Sequence, residues 1–299
     1  MPEMQLRELS FISRTDLAED NILQPLLRRC PRMEKLEMAM MRQVYTLQHL
    51  SHALRENKLP RLRYFVIGWL GSNNFQEAFA EVLTHVKCGL DTFEFRSNPS
   101  GVVTQSLIQH HSPSLTSLDL ECSIISVLTF SDLMAGLQNL RTLKASIRAC
   151  MPHERYARNI PAPVKHWGCV DLRDLQLYLS AFDSAFSGSK WTESREKLCL
   201  DYVFSEVAKL TNLRALTIRG DLKDLYLDQH GYLAQLTDLK RLQVFDLAKI
   251  SQNEFGKQEA LWMVKNWPRL LKVYARDAPT IFKETLLEER PLVEVVNRE

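Results

Sequence analysis

The chain repeats one short apolar pattern along its whole length. Ten segments, from QLRELSF near the start to RLLKVYA near the end, follow the template apolar-x-x-apolar-x-apolar, with leucine as the commonest filler. The template begins at Leu6, Met33, Leu62, Leu90, Leu115, Leu140, Leu172, Leu213, Leu242 and Leu270. Successive starts are 27, 29, 28, 25, 25, 32, 41, 29 and 28 residues apart. This near-constant interval indicates that one packing unit recurs, which also explains the 47 leucines among 299 residues.

Each repeat is predicted to contain one strand and one helix. The last two apolar positions of the template alternate with polar ones, as in a short strand with one buried face. After most templates the apolar spacing becomes helical, as in the stripe Phe75, Phe79, Val82, Leu83 and Val86. A less regular stripe is formed by Leu261, Val264 and Lys265 with Trp267. No repeat can bury its apolar face alone. We therefore expect an α/β fold, a single solenoid domain over residues 1–299, with about ten parallel strands on the concave face of a curved horseshoe.

The period and the template resemble those of leucine-rich-repeat proteins, and the repeat length is closest to the longer, helix-containing class. The phrases CPRMEKLEM at 30–38 and NWPRLLKV at 266–273 are similar to the repeat region of fungal F-box proteins of this type. The resemblance implies non-catalytic protein recognition, as in the substrate receptors of F-box-type ubiquitin ligases, in which the F-box binds the ligase adaptor. No F-box is found, since a repeat already begins at Leu6. A free-standing scaffold unrelated to ubiquitination is therefore an alternative.

Composition and charge argue against several classes of function. The formal net charge of +2 does not favour binding of polyanions by bulk electrostatics. No apolar run approaches the length of a membrane span, and the N-terminus lacks a secretory pattern. The six cysteines form no CxxC pair, which favours free thiols in the cytoplasm or nucleus. Signatures such as GxSxG, HExxH and phosphate-binding glycine loops are absent, so we expect neither enzyme activity nor a cofactor.

A binding surface is expected on the concave face, between the inward apolar positions of each strand. The predicted partner-binding residues are Tyr64, Val66, Glu94, Arg96, Asp119, Glu121, Lys144, Gln176, Tyr178, Arg219, Tyr274 and Arg276. This surface is acidic around Glu94 and Asp119 and basic towards Arg276. Because tyrosine and arginine are frequent at the energetic centres of protein interfaces, we predict a protein partner. The alternative is that these side chains are simply solvated.

Two long repeats predict irregular insertions at about 146–169 and 180–197. In the first, prolines replace the helical stripe, and the stretch 141–169 contains six Lys or Arg and one Glu. It also carries four candidate zinc ligands, Cys150, His153, His166 and Cys169. The order CxxH…HxxC is unusual, and Cys169 stands three residues before a template, as Cys30 does. We therefore favour buried thiols and exposed histidines over zinc, and a protein partner over nucleic acid.

Two further segments carry structural expectations. The pair His110–His111 precedes a strand, so we interpret it as solvent-exposed or capping a helix end. A C-terminal segment at about 279–299 offers a short amphipathic helix around Ile281, Phe282, Leu286 and Leu287, which is predicted to close the core. Nothing comparable precedes Leu6, so the first repeat is expected to be exposed or to continue into further sequence.

Overall fold

Strands and helices alternate along the chain in the computed structural model. It describes residues 4–12, 25–39, 44–68, 73–148, 165–180, 190–220, 231–247, 255–276 and 278–297. Within these ranges, eleven strands form one sheet in which their order follows the chain. The pairings from β1 to β5 and from β6 to β11 are all parallel. The predicted α/β leucine-rich-repeat solenoid is confirmed.

The strands are β1 Glu8–Ile12, β2 Lys35–Ala39, β3 Tyr64–Ile67, β4 Thr92–Phe95, β5 Ser117–Ser126, β6 Thr142–Arg148, β7 Asp174–Ser180, β8 Ala215–Gly220, β9 Val244–Asp246, β10 Lys272–Tyr274 and β11 Glu294–Val296. The helices are α1 Val44–Arg55, α2 Asn73–Thr84, α3 Gly101–His111, α4 Val127–Gly136, α5 Lys190–Val207, α6 Tyr232–Gln235, α7 Lys257–Asn266 and α8 Thr280–Glu289. A 3₁₀ turn, Leu236–Asp238, follows α6. Each of these helices lies between consecutive strands, as the long crossover between parallel strands requires.

The chain forms two compact units. Unit 1 consists of residues up to Ile124 together with Gly136–Leu140, and it contains β1–β4, most of β5 and α1–α3. Unit 2 consists of Ile125–Ala135 and the residues from Arg141 onwards, and it contains α5–α8 and β6–β11 with most of α4.

A backbone hydrogen-bond pattern recurs at the start of the strands. In unit 1 the carbonyl oxygen of Arg7 accepts the N–H groups of Glu34 and Lys35, at 2.7 and 3.0 Å. In unit 2 the carbonyl oxygen of Arg141 accepts those of Arg173 and Asp174, at 2.8 and 3.0 Å. The same double acceptance occurs at Glu34, Arg63, Asp91, Arg173, Arg214 and Gln243. Residues directly after the first template position are therefore placed side by side on adjoining strands.

The core of unit 1 contains a cluster of four phenylalanines. Phe79 of α2 is fully buried, and its ring centroid lies 5.6 Å from that of Phe65, 6.0 Å from Phe93 and 5.8 Å from Phe95. Phe65 and Phe93 stand in register on β3 and β4, and Phe95 ends β4. The inward template positions thus pack against the predicted helical stripe, and this packing joins the strands of unit 1 to α2.

Several element boundaries differ from the sequence predictions. Residues 190–197 of the second predicted insertion belong to α5, and residues 146–148 of the first belong to β6. In α7 the buried face is formed by Ala260 and Met263, and not by the predicted Leu261 and Val264. The buried face is therefore shifted by one residue within α7, whereas Trp267, the last member of the predicted stripe, is fully buried just after the helix.

The C-terminal segment contains the predicted helix and one strand more. In α8, Phe282 and Leu286 are buried, whereas Ile281 and Leu287 are exposed. The chain then forms β11, which pairs in parallel with β10. The sequence template misses this strand because Asn297 stands at the last apolar position, after Leu292 and Val295.

Candidate functional site

The exposed face of the sheet in unit 1 carries a row of residues in register. Ser10, Glu37, Val66, Glu94 and Asp119 occupy matching positions on β1–β5. The residues on either side of them in β2 and β4 are fully buried and form the core. Strand residues therefore alternate between the core and the exposed face, and Glu94 and Asp119 lie on the same face, as their spacing predicts.

The prediction that Val66 lies on the surface is wrong, since only 2% of this residue is exposed. It lies in register between Glu37 and Glu94. Arg96 bridges these two carboxylates, with its Nη1 3.5 Å from Glu37 Oε1 and its Nε 2.6 Å from Glu94 Oε1. The hydrogen bond with Glu94 is the main reason that the pKa of Arg96 is raised above its ordinary value. The guanidinium group is thus a positioned cation.

Tyr64 lies beside an open pocket in unit 1, at the starts of the strands. The pocket has a volume of about 600 Å³, and its lining consists of Glu8, Glu34, Lys35, Arg61, Arg63, Tyr64, Asp91 and Thr92. Lys35 Nζ lies 4.9 Å from the centroid of the Tyr64 ring and 3.9 Å from Glu8 Oε2. Charges of both signs therefore meet around one partly exposed aromatic ring.

The acidic character predicted for this face is present in unit 1. Its strand-face positions carry the acidic residues Glu8, Glu37, Glu94, Asp119 and Glu121 and the basic residues Lys35 and Arg96. Glu121 and Cys122 are both exposed, so the alternation of β5 breaks there. The N–H group of Glu121 donates to Asp119 Oδ1 at 3.0 Å.

Unit 2 has a corresponding row in register on β6–β11. It consists of Lys144, Gln176, Thr217, Asp246, Tyr274 and Val296. Asp246 is only 3% exposed, and its Oδ2 lies 4.0 Å from Arg219 Nη2. Lys272 Nζ lies 5.0 Å from the ring centroid of Tyr274. Tyr178 and Arg276 are exposed beside this row.

The four candidate zinc ligands divide into two groups. Cys150 and His153 lie outside the described residues. Cys169 is fully buried, with its Sγ 3.9 Å from Met134 Sδ, and burial raises the pKa of its thiol to about 12. In the described ranges, no cluster of three or more His, Cys, Asp or Glu residues is suited to holding a metal ion.

His166, the fourth candidate, belongs to a polar cluster around Glu206 in unit 2. The carboxylate of Glu206, which is 2% exposed, lies 2.8 Å from His166 Nδ1 and accepts hydrogen bonds from Trp167 N at 2.9 Å and Lys209 Nζ at 2.5 Å. Burial acts to raise the pKa of Glu206, but the hydrogen bonds from Lys209, Trp167 and His166 together lower it. We call these four residues the Glu206 anchor.

Tyr202 and Ser131 extend the Glu206 anchor to a second helix. The Tyr202 hydroxyl donates to the carbonyl oxygen of Lys165 at 2.7 Å and accepts a hydrogen bond from Trp167 Nε1 at 2.9 Å. Ser131 Oγ of α4 accepts the N–H group of Lys165 at 3.0 Å. Residues 165–167 are thereby fixed to α4 and α5 by side chains that sequence reasoning did not select.

Replacing Glu206 with glutamine is expected to lower the free energy of unfolding by about 1–3 kcal/mol at pH 7, because three donors lose a charged acceptor. The folded pKa lies below the ordinary 4.5, so the ionised form stabilises the fold above that pH, and this contribution disappears as the pH falls through the folded pKa. Denaturant unfolding at pH 7 and pH 3.5 measures both effects. Glu288→Gln on the exposed side of α8 is the control. Equal stability of Glu206→Gln and wild type at pH 7 would refute the anchor.

The structure corrects the interpretation of the histidine pair. His110 is exposed, but His111 is fully buried at the end of α3. Its Nδ1 accepts the N–H group of Leu90 at 3.2 Å, and its Nε2 donates to the carbonyl oxygen of Leu83 at 3.0 Å. Burial lowers the pKa of His111 to about 4. The sequence signal was its spacing of four residues from Leu107, which places both on the buried side of the helix.

Several solved structures are similar to this chain. No protein-family model and no curated protein matches the chain. A chain in the crystal structure of the yeast Rad7 and Elc1 complex is similar, with 14% sequence identity and a TM-score of 0.49. The match covers 93% of this chain and 71% of that chain. In the described part of the protein, no helix has the length and apolar character needed to cross a bilayer.

Proposed function

We propose that this protein is a non-catalytic recognition scaffold that binds a protein partner through the exposed face of its sheet. The observation that carries the proposal is the series of side chains held in register on consecutive parallel strands in each unit. Arg96 is already positioned by Glu37 and Glu94, so it would lose little freedom when a partner binds. Tyr64 and Tyr178 offer the aromatic contact that commonly dominates such interfaces.

Affinity purification followed by mass spectrometry tests this proposal. The tagged 299-residue chain is compared with the triple variant Tyr64→Ala/Arg96→Ala/Tyr178→Ala. We expect the recovery of specific partners to fall by at least about tenfold, because the loss of one interface centre already costs that much. The control Tyr45→Ala/Gln48→Ala/Lys58→Ala changes exposed residues in and just after α1 and should retain the partners. An unchanged partner set in the strand-face variant would contradict the proposal.

The more specific form of the proposal is that the chain recognises substrates for an F-box-type ubiquitin ligase. The support is the resemblance of the segments 30–38 and 266–273 to fungal F-box leucine-rich-repeat proteins. This role requires an F-box outside these 299 residues. Inspection of the gene upstream of Met1 and co-purification of a cullin adaptor decide between this role and a free-standing scaffold. Partners recovered without any adaptor would favour the scaffold.

A further inference from the structure

The second template position, directly after the first apolar residue, differs between the two units. In unit 1 it is occupied by Arg7, Glu34, Arg63, Asp91 and Thr116. In unit 2 it is occupied by Arg141, Arg173, Arg214, Gln243 and Leu271. The backbone hydrogen bonds at the strand starts place consecutive members of each series next to each other. The two series are therefore equivalent positions with different charge patterns.

In unit 1 the charges at this position alternate and form ion pairs. Arg7 Nη1 lies 3.8 Å from Glu34 Oε1, and Arg63 Nη1 lies 3.3 Å from Asp91 Oδ1. Opposite charges on neighbouring strands stabilise a sheet modestly. Each arginine of the unit 1 series therefore has its counter-charge in the next repeat.

In unit 2 three arginines stand side by side without such a counter-charge. Arg141, Arg173 and Arg214 are all exposed, and within the described residues no carboxylate oxygen lies within 4.0 Å of their guanidinium groups. The acidic residues nearest in sequence are Asp171, which accepts a hydrogen bond from Asn212 at 3.2 Å, and Asp174, and neither forms an ion pair with these arginines within the described residues. Like charges that face each other on neighbouring strands destabilise a sheet. Three adjoining arginines thus form a site prepared for an anion.

We propose that these three residues, the arginine ladder, bind an acidic peptide segment of a partner protein. Adjoining strands are about 4.8 Å apart, so the ladder spans about 10 Å, which an extended peptide covers in about three residues. Guanidinium groups bind carboxylates through two parallel hydrogen bonds. The inference rests on the proposed function in one respect, namely that the partner is a protein.

The rest of the unit 2 series favours a peptide over nucleic acid. Beyond Arg214 the next residues are the uncharged Gln243 and Leu271, which is 53% exposed. A phosphate backbone would require continuing positive charge, whereas a peptide can change from acidic to apolar side chains within a few residues. Leu271 lies two strands beyond Arg214, or about 10 Å away. We therefore expect an apolar residue about three positions after the acidic ones.

Fluorescence anisotropy with labelled peptides tests the ladder directly. The probe is fluorescein-EDDESSL, and its uncharged counterpart is fluorescein-QNNQSSL. We expect the full chain to bind the acidic probe at least about tenfold more tightly than the uncharged one, and the affinity to fall as salt screens the charges. Arg141→Gln/Arg173→Gln/Arg214→Gln should lose at least about tenfold in affinity, whereas Arg7→Gln/Arg63→Gln should stay within about twofold of wild type.

Several results would overturn the inference. The first is that the acidic probe does not bind. The second is that Arg7→Gln/Arg63→Gln loses as much affinity as the triple glutamine variant. The third is that an oligothymidylate binds more tightly than the acidic peptide. The melting temperature of the triple glutamine variant tests independently whether the three arginines stabilise the fold. It should equal or exceed that of wild type at low salt, because repulsion between the arginines is removed. A lower melting temperature would assign the arginines a structural role instead.

The affinity purification separates failure of this inference from failure of the proposed function. If wild type captures partners that depend on Tyr64, Arg96 and Tyr178, and the ladder variant captures them equally well, the ladder is wrong and the scaffold proposal stands. If wild type captures no specific partner, the scaffold proposal fails whatever the peptide binding shows.

Discussion

Phe79→Ala is expected to lower the free energy of unfolding of unit 1 by about 3–5 kcal/mol. The Phe79 ring is fully buried and lies within 6.0 Å, centroid to centroid, of Phe65, Phe93 and Phe95. Alanine removes the central ring of this cluster and leaves a cavity between α2 and two strands. The cavity adds to the lost transfer free energy of the removed ring atoms, because the rigid strands can collapse only partly around it. Few other single substitutions in this unit should have as large an effect.

Hydrogen exchange of the amides in β3 and β4, combined with denaturant unfolding, measures the effect of Phe79→Ala in unit 1. Tyr45→Ala is the matched control, since it also truncates an aromatic side chain on a helix of the same unit, but one that is 66% exposed. The control should change the free energy of unfolding by no more than about 0.5 kcal/mol. A loss below about 1 kcal/mol for Phe79→Ala would mean that the phenylalanine cluster is not the core of unit 1.

Acidification is expected to destabilise unit 1 between pH 6.5 and pH 4 through protonation of His111. Its Nδ1 already accepts the N–H group of Leu90, so a proton there breaks that bond and places a buried charge against a donor. The pKa falls from the ordinary 6.5 to about 4 on folding, so the neutral form stabilises the fold fully above pH 6.5 and the contribution is lost as the pH falls towards 4. At 1.36 kcal/mol for each pKa unit, the loss amounts to about 3 kcal/mol.

Thermal unfolding at pH 7 and pH 4.5 tests the role of His111. We expect His111→Gln to be less stable than wild type at pH 7 but to lose much less stability on acidification, because the titrating group is gone. His110→Gln is the matched control, since it changes the exposed neighbour and should keep most of the wild-type pH dependence. The same pH dependence in His111→Gln and wild type would show that another group is responsible.

The repeat architecture could be predicted from the sequence because its determinants are local. Apolar residues alternate within each strand and follow helical spacing after it, so the buried positions of Phe93 and Phe79 are visible in single segments. Parallel stacking then follows, since no unit can bury its apolar face alone. The additional strand β11 and the early start of α5 could not be predicted, because neither carries the template.

The candidate site was predictable as a set of positions but not as a set of contacts. Arg96 and Glu37 are 59 residues apart, and only the parallel register of the strands brings Arg96 Nη1 to 3.5 Å from Glu37 Oε1. In the sequence, nothing distinguishes Glu206 from any other glutamate on an amphipathic helix. Its role becomes visible only in the folded chain, where Trp167 and His166 contact its carboxylate. His110 and His111 are identical in type and adjacent, and the position on the helix alone decides which one is buried.

The double hydrogen bonds at the strand starts also bear on how this surface can change over evolution. The register there is set by main-chain atoms, since the carbonyl oxygens of Arg141 and Arg173 each accept two N–H groups of the next repeat whatever their side chains are. A substitution at the second template position can therefore alter charge without shifting the strands. Each repeat can acquire a new side chain independently, so binding specificity can diverge among descendants of this chain while the solenoid stays the same.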